Sequence, residues 1–107
     1  MNGAELIAAE RQRQIDSEGW SPEHDDQWTR DELLEAAECY IYASRNSSGY
    51  EVEYDAYDIN WPWDTEWFKP CPEESDRVDH IRCLEKAGAL IAAEIDRLQR
   101  KDSRDAE

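Results

Sequence analysis

The sequence predicts a mainly α-helical fold: a small three-helix domain with a long C-terminal helix and a Trp/Tyr-rich irregular segment. Three observations carry this expectation. Apolar residues recur at helical spacing in three stretches. Capping and breaking residues bound those stretches. Between the second and third stretch stand Pro62, Pro70 and Pro72, which exclude a continuous helix there.

The first helix is expected over about Ala4 to Glu18. Ile7, Arg11 and Ile15 fall at i, i+4 and i+8 with Ala8 beside them, so Arg11 sits on the apolar stripe. Glu10 and Gln14 form a neighbouring pair, and Gly19 ends the helix. Ser21-Pro22 joins an N-cap to a proline at the first helical position, which starts a short turn. Thr29 is the expected cap of the second helix, since Thr29-Arg30-Asp31-Glu32 fits a capping box. Asp31 and Glu32 also suit the positive end of the dipole. That helix runs to about Ser44 on an apolar face of Leu33, Ala36, Ala37, Tyr40, Ile41 and Ala43, and Asn46-Ser47-Ser48-Gly49 stops it.

Tyr50, Val52, Tyr54 and Ala56 alternate with Glu51, Glu53 and Asp55, a period of two that suits a short strand or an extended acidic arm. Ser75 is the expected cap of the last helix, which runs to about Gln99. Its apolar stripe is Ile81, Leu84, Gly88, Ile91, Ile95 and Leu98. Ala87 and Leu90 widen that region, so residues 87–93 should be surrounded by protein. Gly88 costs about 1 kcal/mol against Ala within a helix, and a close helix–helix approach is the expected return.

A length of 107 residues is one domain, with residues 1–100 as the helical body and 101–107 as a mobile, disordered tail. Apolar residues are 39% and the mean hydropathy is −1.00, which leans toward disorder. Five Trp and five Tyr offset this, because each buried aromatic removes roughly 150–250 Å² from water. Asp and Glu outnumber Lys and Arg by 27 to 12, a net charge of −15. This excludes the usual basic nucleic-acid binder and argues against docking on anionic lipid. No apolar run approaches the roughly 20 residues that span a bilayer, and the N-terminus has no signal-peptide pattern. The expected location is cytoplasmic. Cys39, Cys71 and Cys83 are odd in number and form no CxxC, so they are expected to be reduced and packed.

Four groups of residues stand together along the chain: Glu10-Arg11-Gln12-Arg13-Gln14; Gly19-Trp20 with His24-Asp25-Asp26; Trp61-Pro62-Trp63 with Trp67, Lys69 and Pro70; and Lys86-Ala87-Gly88-Ala89-Leu90-Ile91 with Ala93-Glu94-Ile95 and Arg97-Leu98. As a set they resemble a family of small proteins encoded by tailed phages and prophages. The resemblance covers most of the chain outside residues 46–60 and the tail. It implies a genomic setting rather than a chemistry. Small phage accessory proteins are often antagonists of host defence or helpers of nucleotide metabolism, so the implied compartment is the host cytoplasm. Two positions depart from the pattern. Trp28 stands in place of a second histidine, and Asp31 in place of a glycine. A metal site using that histidine does not carry over.

Three groups can carry chemistry. His24, Asp25 and Asp26, with Glu32 and Glu94, offer oxygen and imidazole ligands for Mg²⁺ or Mn²⁺. Glu32-Leu33-Leu34-Glu35 is an ExxE of the kind found in all-helical nucleoside triphosphate pyrophosphohydrolases, but no matching ExxD occurs in the last helix. Capping and loop chemistry explain the same acids without a metal. The second group is Glu10, Arg11, Gln14, Lys86 and Glu94. Either Arg11 pairs structurally with a carboxylate such as Glu94, or Arg11, Gln14, His24 and Lys86 receive an anionic ligand whose base stacks on Trp20, Trp61 or Trp63. The third is the acidic aromatic arm, where Glu51, Glu53 and Asp55 lead to Trp63 and Trp67. Its spaced acids can imitate phosphates in a basic groove, while its indoles supply contact area. The plainer reading has those indoles covering the core.

No nucleophile constellation or Gly-rich phosphate loop is visible. The favoured function is a phage-type, non-enzymatic binding protein without a cofactor. It would inhibit a host defence component, through the acidic aromatic surface or by sequestering a small nucleotide. The competing classes are a metal-dependent nucleotide hydrolase, with His24, Asp25, Asp26, Glu32 and Glu94 as its catalytic set, and a structural protein that dimerises through the C-terminal helix.

Overall fold

A computed structural model describes residues 1–46, 61–72, 74–75 and 77–106. Four α-helices and one 3₁₀ turn are present among them: α1 (Gly3–Glu18), α2 (Pro22–Asp25), α3 (Glu32–Asn46), the turn Thr65–Trp67 and α4 (His80–Asp105). No strand occurs among the described residues. The alternating segment 50–56 lies outside them. The fold is mainly helical, as the periodicity predicts, and α4 is the spine against which α1, α2 and α3 pack.

Local chemistry explains most boundaries. Asn2 and Glu5 form a reciprocal capping box on α1, and Gly19 closes it at φ 72°, a left-handed conformation that favours glycine. Ser21 caps α2 with Pro22 at its first position. Thr29 is not the cap of α3, a correction to the expected box. The chain first completes the turn after α2, where the Thr29 amide donates to the Gln27 carbonyl. Then α3 begins at Glu32, whose carboxylate accepts from the Arg30 amide. Asp31 precedes it at φ 65°, so the position where a glycine was expected is one whose backbone favours glycine.

Two expectations for α4 are corrected. It starts at His80 with Asp79 as cap, not at Ser75. The Asp79 amide is tied to the Pro70 carbonyl, and Ser75 lies in a separate turn that bonds Pro72. The helix also passes Gln99 and runs to Asp105, through the segment expected to be a disordered tail. Arg100 and Arg104 reach Asp26 from there, at 2.8 and 3.4 Å, and Lys101 pairs with Asp105.

The core lies between α3 and α4. Leu33, Ala36, Ala37, Cys39, Tyr40 and Ala43 meet Cys83, Ala87, Leu90 and Ala93, with Phe68 and Val78 at its edges. No disulfide joins the cysteines among the described residues, and burial first of all pushes the Cys83 thiol up to about 11. Small residues let the two helices approach closely. Gly88 serves α1 in the same way, because a Cβ there would lie 2.6 Å from Cδ1 of Ile7. The predicted apolar stripe of α4 faces the other way. Ile81, Leu84, Ile91, Ile95 and Leu98 are 39–65% exposed. Buried in their stead are Glu94 and Arg97, a charged pair 2.6 Å apart.

Candidate functional site

Arg11 stands apart from the other polar residues of α1. Glu10 is buried and receives Arg13 at 2.8 and 2.9 Å and Arg82 at 2.6 Å. Burial alone would raise its pKa, but the hydrogen bonds from Arg13 and Arg82 outweigh this and hold it below the usual 4.5. Arg11 turns away to Asp25, 2.7 Å distant and wholly buried, whose other oxygen lies 3.1 Å from His24 Nδ1. Arg11 therefore pairs structurally, with Asp25 rather than with Glu94. Glu94 is held by Arg97. Lys86 donates to the Lys69 carbonyl at 2.7 Å, and burial lowers its pKa.

The carboxylates read as metal ligands are divided among arginines. Asp25 serves Arg11, Asp26 serves Arg100 and Arg104, Glu94 serves Arg97, and Glu32 accepts from its own helix entry. No group of three His, Cys, Asp or Glu side chains among the described residues is placed to hold a metal ion. The geometry gives the hydrolase set no common centre.

The aromatic residues do converge. Trp61 Nε1 donates to the Asp64 carbonyl at 2.8 Å, which folds the loop back on itself. The Tyr40 hydroxyl accepts from the Lys69 amide at 3.1 Å and donates to the Trp67 carbonyl at 3.5 Å, so α3 pins the loop from below. Burial pushes that hydroxyl well above its ordinary pKa, which keeps it protonated as a donor. A continuous set of ring contacts results. Phe68 meets Tyr40 and Trp61; Trp61 meets Trp63 edge-on; Trp63 meets Trp20 and Trp28; and His24 stacks on Trp20 at 5.3 Å and 25°. Neighbouring rings at these separations gain beyond their buried area.

Two hollows open from this set. One is a cleft of about 410 Å³ lined by Trp20, His24, Trp28, Trp63, Asp64 and Trp67. Its volume falls within the usual range for small-ligand sites. Trp67 is half-exposed at its rim, at 51%. The other is a slot of about 40 Å³ where Gln14, Arg13, Glu10 and Lys86 meet Trp61 and Trp63. The slot has room for water and not for a nucleotide.

Of the residues expected to bind a ligand, Trp20, His24 and Trp63 line the cleft, while Gln14, Trp61 and Lys86 line the slot together with Trp20 and Trp63. Arg11 lines neither. Of the expected protein-binding set, Trp63 and Trp67 lie on the cleft, and Glu51, Glu53 and Asp55 fall outside the described residues. Trp28 and Asp64 are cleft residues that the sequence reading missed. The spacing of Trp20, His24 and Trp28, four residues apart, is a signal that places them together. A helix-like turn puts such residues on one face.

Compared with family models, with curated proteins and with solved structures, the chain gives no match in any of the three. No helix among the described residues is long and apolar enough to cross a membrane.

Proposed function

We propose that this chain is a non-enzymatic binding protein whose acidic aromatic surface captures a basic partner. The supporting observation is the cleft itself: four indoles and an imidazole around about 410 Å³, with Asp64 as the acidic group in its lining. The faces of such rings carry negative potential, so a guanidinium or ammonium entering the cleft is attracted by the rings and by the carboxylate together. The charge of −15 on the whole chain adds long-range attraction for a basic surface.

That balance favours capture of a protein over sequestration of a nucleotide. Phosphates would meet Asp64 in the cleft and Glu10 and Glu18 at the slot, where Arg13 is already bound to both acids. In the genomic setting that the resemblance to small phage proteins implies, the proposed partner is a component of host defence, met in the host cytoplasm. Acting as an inhibitor then means occupying a basic groove that otherwise receives nucleic acid.

Tryptophan fluorescence tests this. Titration with an arginine-rich peptide should quench the emission, less so as salt rises. Trp63→Ala and Asp64→Asn should each weaken the response by about tenfold, or about 1.4 kcal/mol. A panel of nucleotides and cyclic dinucleotides should leave it unchanged. Quenching by a nucleotide in place of the peptide would overturn the proposal in favour of sequestration.

A further inference from the structure

We infer that the slot is a hydration site, in which ordered water bridges the Gln14 carboxamide of α1 to the Trp63 indole. Gln14 is buried, with 4% of its surface exposed. Its Oε1 and the Nε1 of Trp63 are both buried, and neither has a hydrogen-bond partner among the described residues. Both residues line the slot. Buried polar atoms in folded proteins are served almost without exception, by protein or by ordered water. The neighbours of these two are already engaged. Glu10 receives Arg13 and Arg82, and Arg13 also reaches Glu18. Lys86 donates to the Lys69 carbonyl, and Trp61 to the Asp64 carbonyl. The Tyr40 hydroxyl lies between the Lys69 amide and the Trp67 carbonyl.

The chemistry of the two atoms identifies the occupant. One is an acceptor and the other a donor. A metal cation would serve Gln14 alone, and a halide Trp63 alone. A small group that serves both must donate and accept, and water does. Space agrees with this. One water needs at least about 10–15 Å³, and the slot measures about 40 Å³. The bridge fastens α1 to the indole that also forms one wall of the larger cleft, whatever that cleft binds.

NMR on the full chain tests the inference. The Trp63 indole N–H should show a cross-peak to a long-lived water. Gln14→Met removes the acceptor and keeps the length of the side chain. It should lose that cross-peak, while circular dichroism keeps the helical signal. High-resolution diffraction from wild-type crystals grown in bromide makes the test independent of whether that variant folds. Electron density for water is expected within hydrogen-bond distance of both Gln14 Oε1 and Trp63 Nε1. An indole N–H with no water cross-peak would overturn the inference, as would a cross-peak unchanged in a folded Gln14→Met. So would a direct bond between Gln14 and Trp63, or bromide in the slot with the carboxamide NH₂ turned toward it.

Discussion

The contact of α4 with α3 and its contacts with α1 and α2 are built from different materials. Toward α3 the surface is dry and small, with Leu33, Ala36, Ala37 and Ala43 against Ala87, Leu90 and Ala93. Toward α1 and α2 it is ionic, apart from the seat of Ile7 on Gly88. Arg82 reaches Glu10, and Arg100 reaches Asp26, while Arg11 and Asp25 join α1 to α2 beneath. The dry contact gains from any close fit of apolar groups. The ionic contacts are satisfied in one arrangement only, because a buried charge without its partner is costly. The first brings the helices together, and the second sets where α1 and α2 stand, which holds Trp20 and His24 beside Trp63.

The largest expected effect separates the two kinds of contact. Asp25→Ala leaves the Arg11 guanidinium nearly buried without its carboxylate, and should cost about 3–5 kcal/mol in urea denaturation. Replacing both partners, as Arg11→Met with Asp25→Leu, should recover most of that loss. Leu90→Ala on the dry side should cost about 2–4 kcal/mol with no such rescue, because the loss is contact area and cavity. If the ionic double variant recovers nothing, the distinction between the two contacts fails.

The smallest effect has a pH signature. The Glu10 carboxyl is held below 4.5 in the fold, and Asp26 below 3.8 chiefly by its hydrogen bond from Arg100. Stability from both is complete above those ordinary values and is lost as pH falls through the lowered ones. Glu10→Gln should therefore cost about 1–3 kcal/mol at neutral pH. Its deficit against the wild type should shrink as the solution is acidified below pH 4.5, measured by denaturation at each pH. A constant deficit would assign the loss to packing.

Much of this arrangement was legible in short stretches of chain. Gly19 ends α1, and Ser21-Pro22 starts α2, because capping is a matter of neighbouring residues. The inner face of α3 was legible too, since its apolar residues form a single stripe. The aromatic site was legible in part. Trp20, His24, Trp61, Trp63 and Trp67 were expected to function, but Trp28 was read as a departure and Asp64 was passed over. Their places depend on how the loop folds onto Tyr40, 24 positions before Asp64.

The sequence by itself determined which segments become helices, because caps, proline and apolar period act within a few residues of each other. It did not determine which side of α4 turns inward. The more apolar stripe lost that position to a stripe of small residues and a salt-bridged pair, because alanine and cysteine admit a close neighbour where isoleucine and leucine do not. Nor did it determine the partners of the charges: Arg11 chose Asp25, 14 residues away, and Arg100 chose Asp26, 74 residues away. Only the packed molecule brings such groups within hydrogen-bond distance, and an ion pair gains little until it does, because water and salt screen it at longer range.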